Sequence, residues 1–590
     1  MVRGKRRLFV LDYYDPMTSL RLTLSTILLT LVTGLPVARA EVPPVNSDLN
    51  SSMMYALLVA EISAQNGDAA SAYQIMLDSA QKARSNQLFE RAVEIALRAR
   101  AGESALQAAQ TWSRALPESK EAARYVIQIL VGLNKLTETV EPIRRSIANA
   151  LPQDRAVTIA SLPRYFVRVE DKKLAAKVVE LALTQELTSA TTGPAAHATI
   201  GTLRLLAGDA EGSLEAARKG AALNARSEEP AQLALALMDP KLPGAEALVV
   251  QHIQAGARPE LHMAYVHKLI DFQRYQEASE QTILINTRSP EFSDAWLIRG
   301  SLAHREKNNR EAVSALTQLV QLKQAADAMR GDAVQDRSLS QAYYLLGDIA
   351  EQNKQWLEAE RNYRLVENPQ DALRALSRRG VVMARLGKLE EGRALIRSAP
   401  ELQPEDARLK ISAETQLLRE FKQFQSVYEV LQQAVKGKPE DADYLYDLAM
   451  AAEKLDRLDE MESLLRKVIA LKPDYHHAYN ALGYSLADRK LRLGEARNLI
   501  RKALEYAPED PFILDSLAWV EYRSGNLEQA LQILQGAYKS RQDPEIAAHL
   551  GEVLWAMSQP KEALAIWRDG LTQSPENDTL NETVKRLSRP

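Results

Sequence analysis

Six prolines recur through the last third of this chain: Pro404, Pro439, Pro473, Pro508, Pro544 and Pro575, at steps of 35, 34, 35, 36 and 31 residues. Proline fixes φ and lacks an N–H, so it stops a helix wherever it falls past the first turn. Small residues recur between the stops. Gly347 and Gly380 are 33 apart, and Gly483 and Gly551 are 68 apart with Ala518 near the midpoint. A period near 34 is that of two-helix units stacked on one another, because one hairpin cannot bury its apolar face alone. No strand-like alternation competes over any useful length. The pattern predicts an all-α, right-handed superhelical solenoid of about fifteen helical hairpins, running from roughly residue 50 to 575.

The stretch Glu545 to Pro575 shows why the residues recur. Gly551 sits midway along a first helix and admits a close neighbour. Ala563 does the same on the second helix, and Trp567 and Leu571 follow on its core face. The unit from Phe512 repeats this with Ala518, Gly525-Asn526 at the turn, Ala530, Leu534 and Ala537. Weaker copies lie upstream at Gly67, Ala96, Gly201 and Gly300. These positions resemble the small-residue and proline pattern of the tetratricopeptide repeat (TPR), and the resemblance implies a binding scaffold. Met461 and Val427 depart from it at small-residue sites, and the turn before Ala496 carries about one extra residue. The expected division is an N-terminal degenerate array over 51–324, an irregular connection over 325–338, a C-terminal array over 339–575 and a tail over 576–590.

The N-terminus predicts export. Met17 opens a clean start, Arg21 supplies a charged flank, and Leu22 to Leu35 is an apolar run of signal-peptide length, short for a membrane span. Ala38-Arg39-Ala40 reads as a cleavage site, leaving a short linker over 41–50. An uncleaved anchor is the alternative. The chain has no cysteine, hence no disulfide and no thiol for lipid attachment. An exported cysteine-free helical array suits a bacterial periplasm, with outer-membrane association only through a partner.

Chemistry is sparse. With 74 basic and 77 acidic residues the net charge is −3, which argues against nucleic acid as a partner. No zinc helix, nucleophile elbow or phosphate loop is present. His476 and His477 are adjacent, so on a helix they diverge by about 100° and suit no shared metal. No metal, cofactor or catalytic residue is expected, and the chain reads as a non-enzyme.

Binding is expected on the concave wall, which first helices line. The side chains facing it include Tyr446, Asn480, Tyr484, Asp515, Trp519, Tyr522, Glu552 and Trp555, an aromatic and partly acidic strip. Aromatic anchors make interface hot spots, and the acids would favour a basic or amino-terminal peptide. The competing reading is that Trp519 and Trp555 pack against the next hairpin.

Three runs carry a narrower resemblance: Tyr479 to Arg489, Pro511 to Val520, and Ala547 to Trp555. Over residues 440–575 the chain resembles a proteobacterial family of exported TPR proteins. Its best-known type is an outer-membrane lipoprotein adaptor that brings peptidoglycan hydrolases to a carboxyl-terminal processing protease. The resemblance implies an adaptor of that kind, though this chain lacks the lipid-bearing cysteine. The alternatives are a scaffold for peptidoglycan synthesis or outer-membrane assembly, and a glycan-binding protein using the aromatic strip.

Overall fold

The computed structural model describes residues 50–330 and 336–588. The expected leader over 1–40 and most of the linker lie outside the described residues. All regular structure among the described residues is helical. The chain divides between Leu151 and Pro152 into two compact units.

The first unit is a run of antiparallel hairpins: Ser51–Gln65 with Ala69–Ala83, Asn86–Arg98 with Gly102–Ala115, and Lys120–Gly132 with Val140–Ala148. Alanines set the helix spacing, with Ala72, Ala92, Ala105 and Ala108 wholly buried. Phe89 and Trp112 stack at 6.2 Å and 7° between planes, and Trp112 Nε1 donates to Asn86 Oδ1 at 2.7 Å. The buried indole N–H is thus satisfied, as its burial requires.

The second unit opens on the short helices Arg155–Ala160 and Pro163–Phe166, then settles into regular hairpins. Its period shows best in the backbone. Residues with positive φ close successive first helices at Lys354, Gly387, Lys422, Asp456, Lys490, Gly525 and Ser558, always 33 to 35 residues apart. Each starts a left-handed cap in which the next N–H reaches back five residues along the chain, as Gln559 N does to Leu554 O at 2.9 Å. Pro439, Pro473, Pro508 and Pro575 lie in the turns between hairpins, and Pro544 opens its helix at the first position.

One step is longer: Lys307 to Lys354 spans 47 residues. Much of the surplus is the helix Asn309–Arg330, 22 residues against 14 in Leu458–Leu471. Within the expected irregular connection, residues 325–330 continue that helix, 331–335 lie outside the described residues, and a new helix runs from Arg337, which Asp336 caps at Ser338 N, 2.7 Å.

Of the expected tail over 576–590, residues 578–587 form a helix, and 589–590 lie outside the described residues. Asn577 Oδ1 accepts from Leu580 N at 2.8 Å and starts the helix Asp578–Leu587, whose Leu580 is fully buried. Leu580→Ala is expected to cost about 2–5 kcal/mol. Loss of hydrogen-exchange protection over residues 578–587 would show it, and unchanged protection would mean this helix is unsupported by packing. Lys422 Nζ meets Asp578 at 3.1 Å across 156 positions of sequence, so the repeats of this unit wind back far enough for the last helix to meet the turn after Asp406–Glu420. Both groups are exposed, and the pair adds little stability.

Candidate functional site

Four helices at equivalent places in successive repeats form one wall: His476–Asp488, Pro511–Arg523, Pro544–Ala556 and Asp578–Leu587. Because the repeat is near 34 residues, one register position recurs on each. Tyr484, Trp519 and Glu552 follow directly after Gly483, Ala518 and Gly551, and all three turn to a groove of about 850 Å³ that Thr583 and Arg586 complete.

His549 is its centre. Its Nδ1 lies 2.8 Å and 3.0 Å from the two carboxylate oxygens of Asp515. Its ring stacks on Trp519 at 4.1 Å, and its Nε2 is 3.4 Å from the Tyr484 hydroxyl. His549, Asp515 and Trp519 are all buried. Burial alone pushes the imidazole pKa down, but the Asp515 charge and hydrogen bond, with Glu552 and Glu545 adding, carry it above the ordinary histidine value. Burial first, and the nearby Asp488 and Asp515 charges next, push the Tyr484 phenol far up, so it stays protonated.

An Asp–His pair is the orienting half of a hydrolytic triad. Here the group beyond the imidazole is a phenol held protonated, and no serine lines the groove. Among the described residues no cluster of His, Cys, Asp or Glu could hold a metal ion. His476 and His477 have ring centroids 4.0 Å apart without forming such a set. The arrangement suits holding a partner's chain between rings and charges.

The acids of the strip are engaged within the protein, which corrects the expected pull on a basic peptide. Asp515 faces His549. Glu552 pairs with Arg586 and accepts from the Tyr522 hydroxyl at 3.4 Å. Asp488 accepts from Arg523 at 2.8 Å and from Trp519 Nε1 at 3.2 Å. Glu582 and Lys585 are exposed at the rim.

The eight expected residues therefore divide. Tyr484, Trp519 and Glu552 line the groove, with Asp515 beneath His549 and Tyr522 beside Glu552. Asn480 lies one turn before Tyr484 with its Oδ1 buried and unpartnered. Tyr446 joins a separate cluster with Tyr475 at 5.3 Å and His477 at 6.4 Å. Trp555 stacks on Trp567 of its own hairpin at 5.6 Å, neither lining the groove nor reaching the next hairpin. Sequence reasoning missed His549, Arg523 and Arg586. Each left the same signal, one repeat after its acid: His549 stands 34 residues after Asp515, Arg586 34 after Glu552 and Arg523 35 after Asp488.

Sequence models of the tetratricopeptide repeat match residues 344–407, 442–475 and 481–547. The chain is 37% identical over 247 residues to a TPR repeat-containing protein of Pseudomonas aeruginosa, covering 42% of each. It is 23% identical over 280 residues to the human mitochondrial import receptor subunit TOM70, covering 46% of this chain and 44% of that one. It thus spans less than half the length of these curated relatives. Among solved structures, a tetratricopeptide repeat protein from Parabacteroides merdae aligns with a TM-score of 0.34 at 13% identity, over 42% of this chain and 99% of that one. The Cut9 and Hcn1 hetero-tetramer aligns with a TM-score of 0.31 at 13% identity, over 84% of this chain and 95% of that one. The chain carries tetratricopeptide repeats in an all-α repeat fold, an architecture that presents extended surfaces to other proteins.

Proposed function

We propose that this chain is a non-catalytic scaffold whose C-terminal repeats hold a segment of a client protein in the groove around His549. The observation that carries this is the meeting of Tyr484, Trp519, His549 and Arg586, from four helices, around one cleft of about 850 Å³. A preformed cleft with rings and paired charges binds at low ordering cost. We further propose that it works in the periplasm as an adaptor between a carboxyl-terminal processing protease and peptidoglycan hydrolases. The leader-like N-terminus and the resemblance over residues 440–575 support that reading. An adaptor of this kind acts by raising the effective concentration of client at the protease. Glycan stacking is disfavoured: Trp519 is only 4% exposed, with His549 against its ring and Arg523 over it at 4.7 Å.

The test is affinity capture from envelope extract by the wild-type chain and by a Thr579→Arg, Lys585→Glu variant. Both positions are exposed on the groove rim, so the fold is untouched. The expected result is a processing protease recovered by both baits, with hydrolases reduced on the order of tenfold on the variant. Hydrolases captured equally would remove the groove from client binding. Synthases or assembly factors without a protease would replace the adaptor by an envelope-assembly scaffold.

A further inference from the structure

The first helix of the first unit, Ser51–Gln65, leaves an apolar stripe uncovered by the described residues. Met54 is 57% exposed, Tyr55 71%, Leu58 54% and Ile62 56%. Terminal repeats of a solenoid ordinarily turn a polar face outward. The last helix does so, exposing Asp578, Asn581, Glu582 and Lys585. The first does not, although its inner face is sound: Ala60 is wholly buried and Asn50 caps its start at Met53 N, 2.8 Å.

Two features of the stripe select its occupant. The first is charge. Glu61 is the helix's sole charged residue, and Arg91 on the helix Asn86–Arg98 holds it at 2.7 Å. The helix itself therefore supplies no basic residue of the kind that seats a helix on a lipid surface. The stripe also carries no charge to repel its own copy. The second is symmetry. Leu58 lies at the centre, Met54 and Tyr55 one turn before it, Ile62 one turn after, and the polar Ser51 and Gln65 seven residues to either side. All fall on one helical face. Turned end for end, Met54 exchanges places with Ile62 and Ser51 with Gln65, and Tyr55 comes opposite Glu61, as an isologous two-fold contact allows.

We propose that the chain self-associates through this stripe as an antiparallel pair of Ser51–Gln65 helices, with Leu58 facing Leu58 on the two-fold axis and Met54 facing Ile62. A single helix about 22 Å long offers less than the roughly 800 Å² per partner of a standard stable interface. The dimer therefore forms and dissociates over a micromolar concentration range.

Sedimentation of the full chain from about 1 to about 200 µM should shift its mass from 65.7 kDa toward twice that value. Leu58→Glu and Leu58→Lys should each stay monomeric, and an equimolar mixture of the two should recover the dimer. The chain has no cysteine, so Leu58→Cys supplies a sole thiol that should oxidise to a covalent dimer. Leu58 is exposed, and unchanged thermal melting of each variant would confirm that the fold is intact. A wild-type mass of 65.7 kDa at every concentration overturns the proposal, whether residues upstream or another protein cover the stripe. So does a dimer that persists in Leu58→Glu, or a mixture that stays monomeric.

Discussion

Replacing Gly551 by alanine is expected to destabilise the last hairpins by about 2 kcal/mol, although it puts a better helix former inside a helix. Propensity alone predicts a gain of up to about 1 kcal/mol. Packing opposes it. A Cβ on Gly551 would lie 2.0 Å from Trp567 Nε1 and 2.4 Å from Cε2. The ring cannot yield easily: Trp567 is 1% exposed, stacks on Trp555 at 5.6 Å, and donates to Ala548 O at 3.3 Å. Overpacking of a tight core costs about 1–3 kcal/mol, occasionally more, so the clash outweighs the propensity. Hydrogen exchange over Pro544–Ala556 and Pro560–Gln573 should lose protection. Trp567→Phe should partly rescue Gly551→Ala, with a coupling of about 1 kcal/mol in a double-mutant cycle. A Gly551→Ala protein as protected as wild type would show that the indole can move aside. Gly392 is the sterner case, since its Cβ would lie 2.4 Å from the carbonyl oxygen of Gly380, where only backbone could give way.

This contact also explains what the sequence reveals. Gly551 and Pro575 are chemically obligatory at their sites, one by helix approach and one by helix termination, so their spacing announces the repeat. The turns inside hairpins do not announce themselves. From Lys354 to Ser558, most of the left-handed turn residues are Lys, Asp or Ser, whose strain the cap hydrogen bonds offset. The long helix Asn309–Arg330 hides for another reason: eight further residues that keep helical spacing break the repeat phase without breaking the helix. In the groove, register brings Tyr484 and Trp519 together and makes their meeting legible. The pairing of the acids is less so: Arg586 stands 34 residues after Glu552 at the same register position, but on a last helix beyond the proline ladder that ends at Pro575. Trp555 was diverted by Trp567, a contact within its own hairpin that register alone cannot rank against the groove.

Asp515→Ala is the substitution with the largest expected cost, about 3–5 kcal/mol, because it strands His549 without its buried partner. Asp515 is 6% exposed and His549 7%, so solvent screens the pair little. The groups facing His549 are Asp515 from Pro511–Arg523, Tyr484 from His476–Asp488, and Glu545 and Glu552 from its own helix. Their net effect raises its folded pKa above the unfolded value of about 6.5. A folded pKa above the unfolded one means that the folded state binds the proton more tightly. The contribution is therefore fully present below the unfolded pKa and is lost as pH rises through the folded one. Wild type should accordingly lose stability relative to His549→Phe between about pH 6 and the alkaline side. His549→Phe keeps a ring against Trp519 and removes the titration, although it leaves Asp515 buried and unpaired. The companion His549→Phe, Asp515→Leu protein removes both charges and should recover most of the loss, since an apolar pair of similar volume often replaces a buried ion pair at no cost. Urea unfolding followed by tryptophan fluorescence, repeated across that pH range, reads all four proteins. A wild-type difference that instead rises with pH over this range would mean that His549 is neutral in the fold. The Trp519 stack would then be held by packing alone, and the groove would present the same surface at every pH its clients meet.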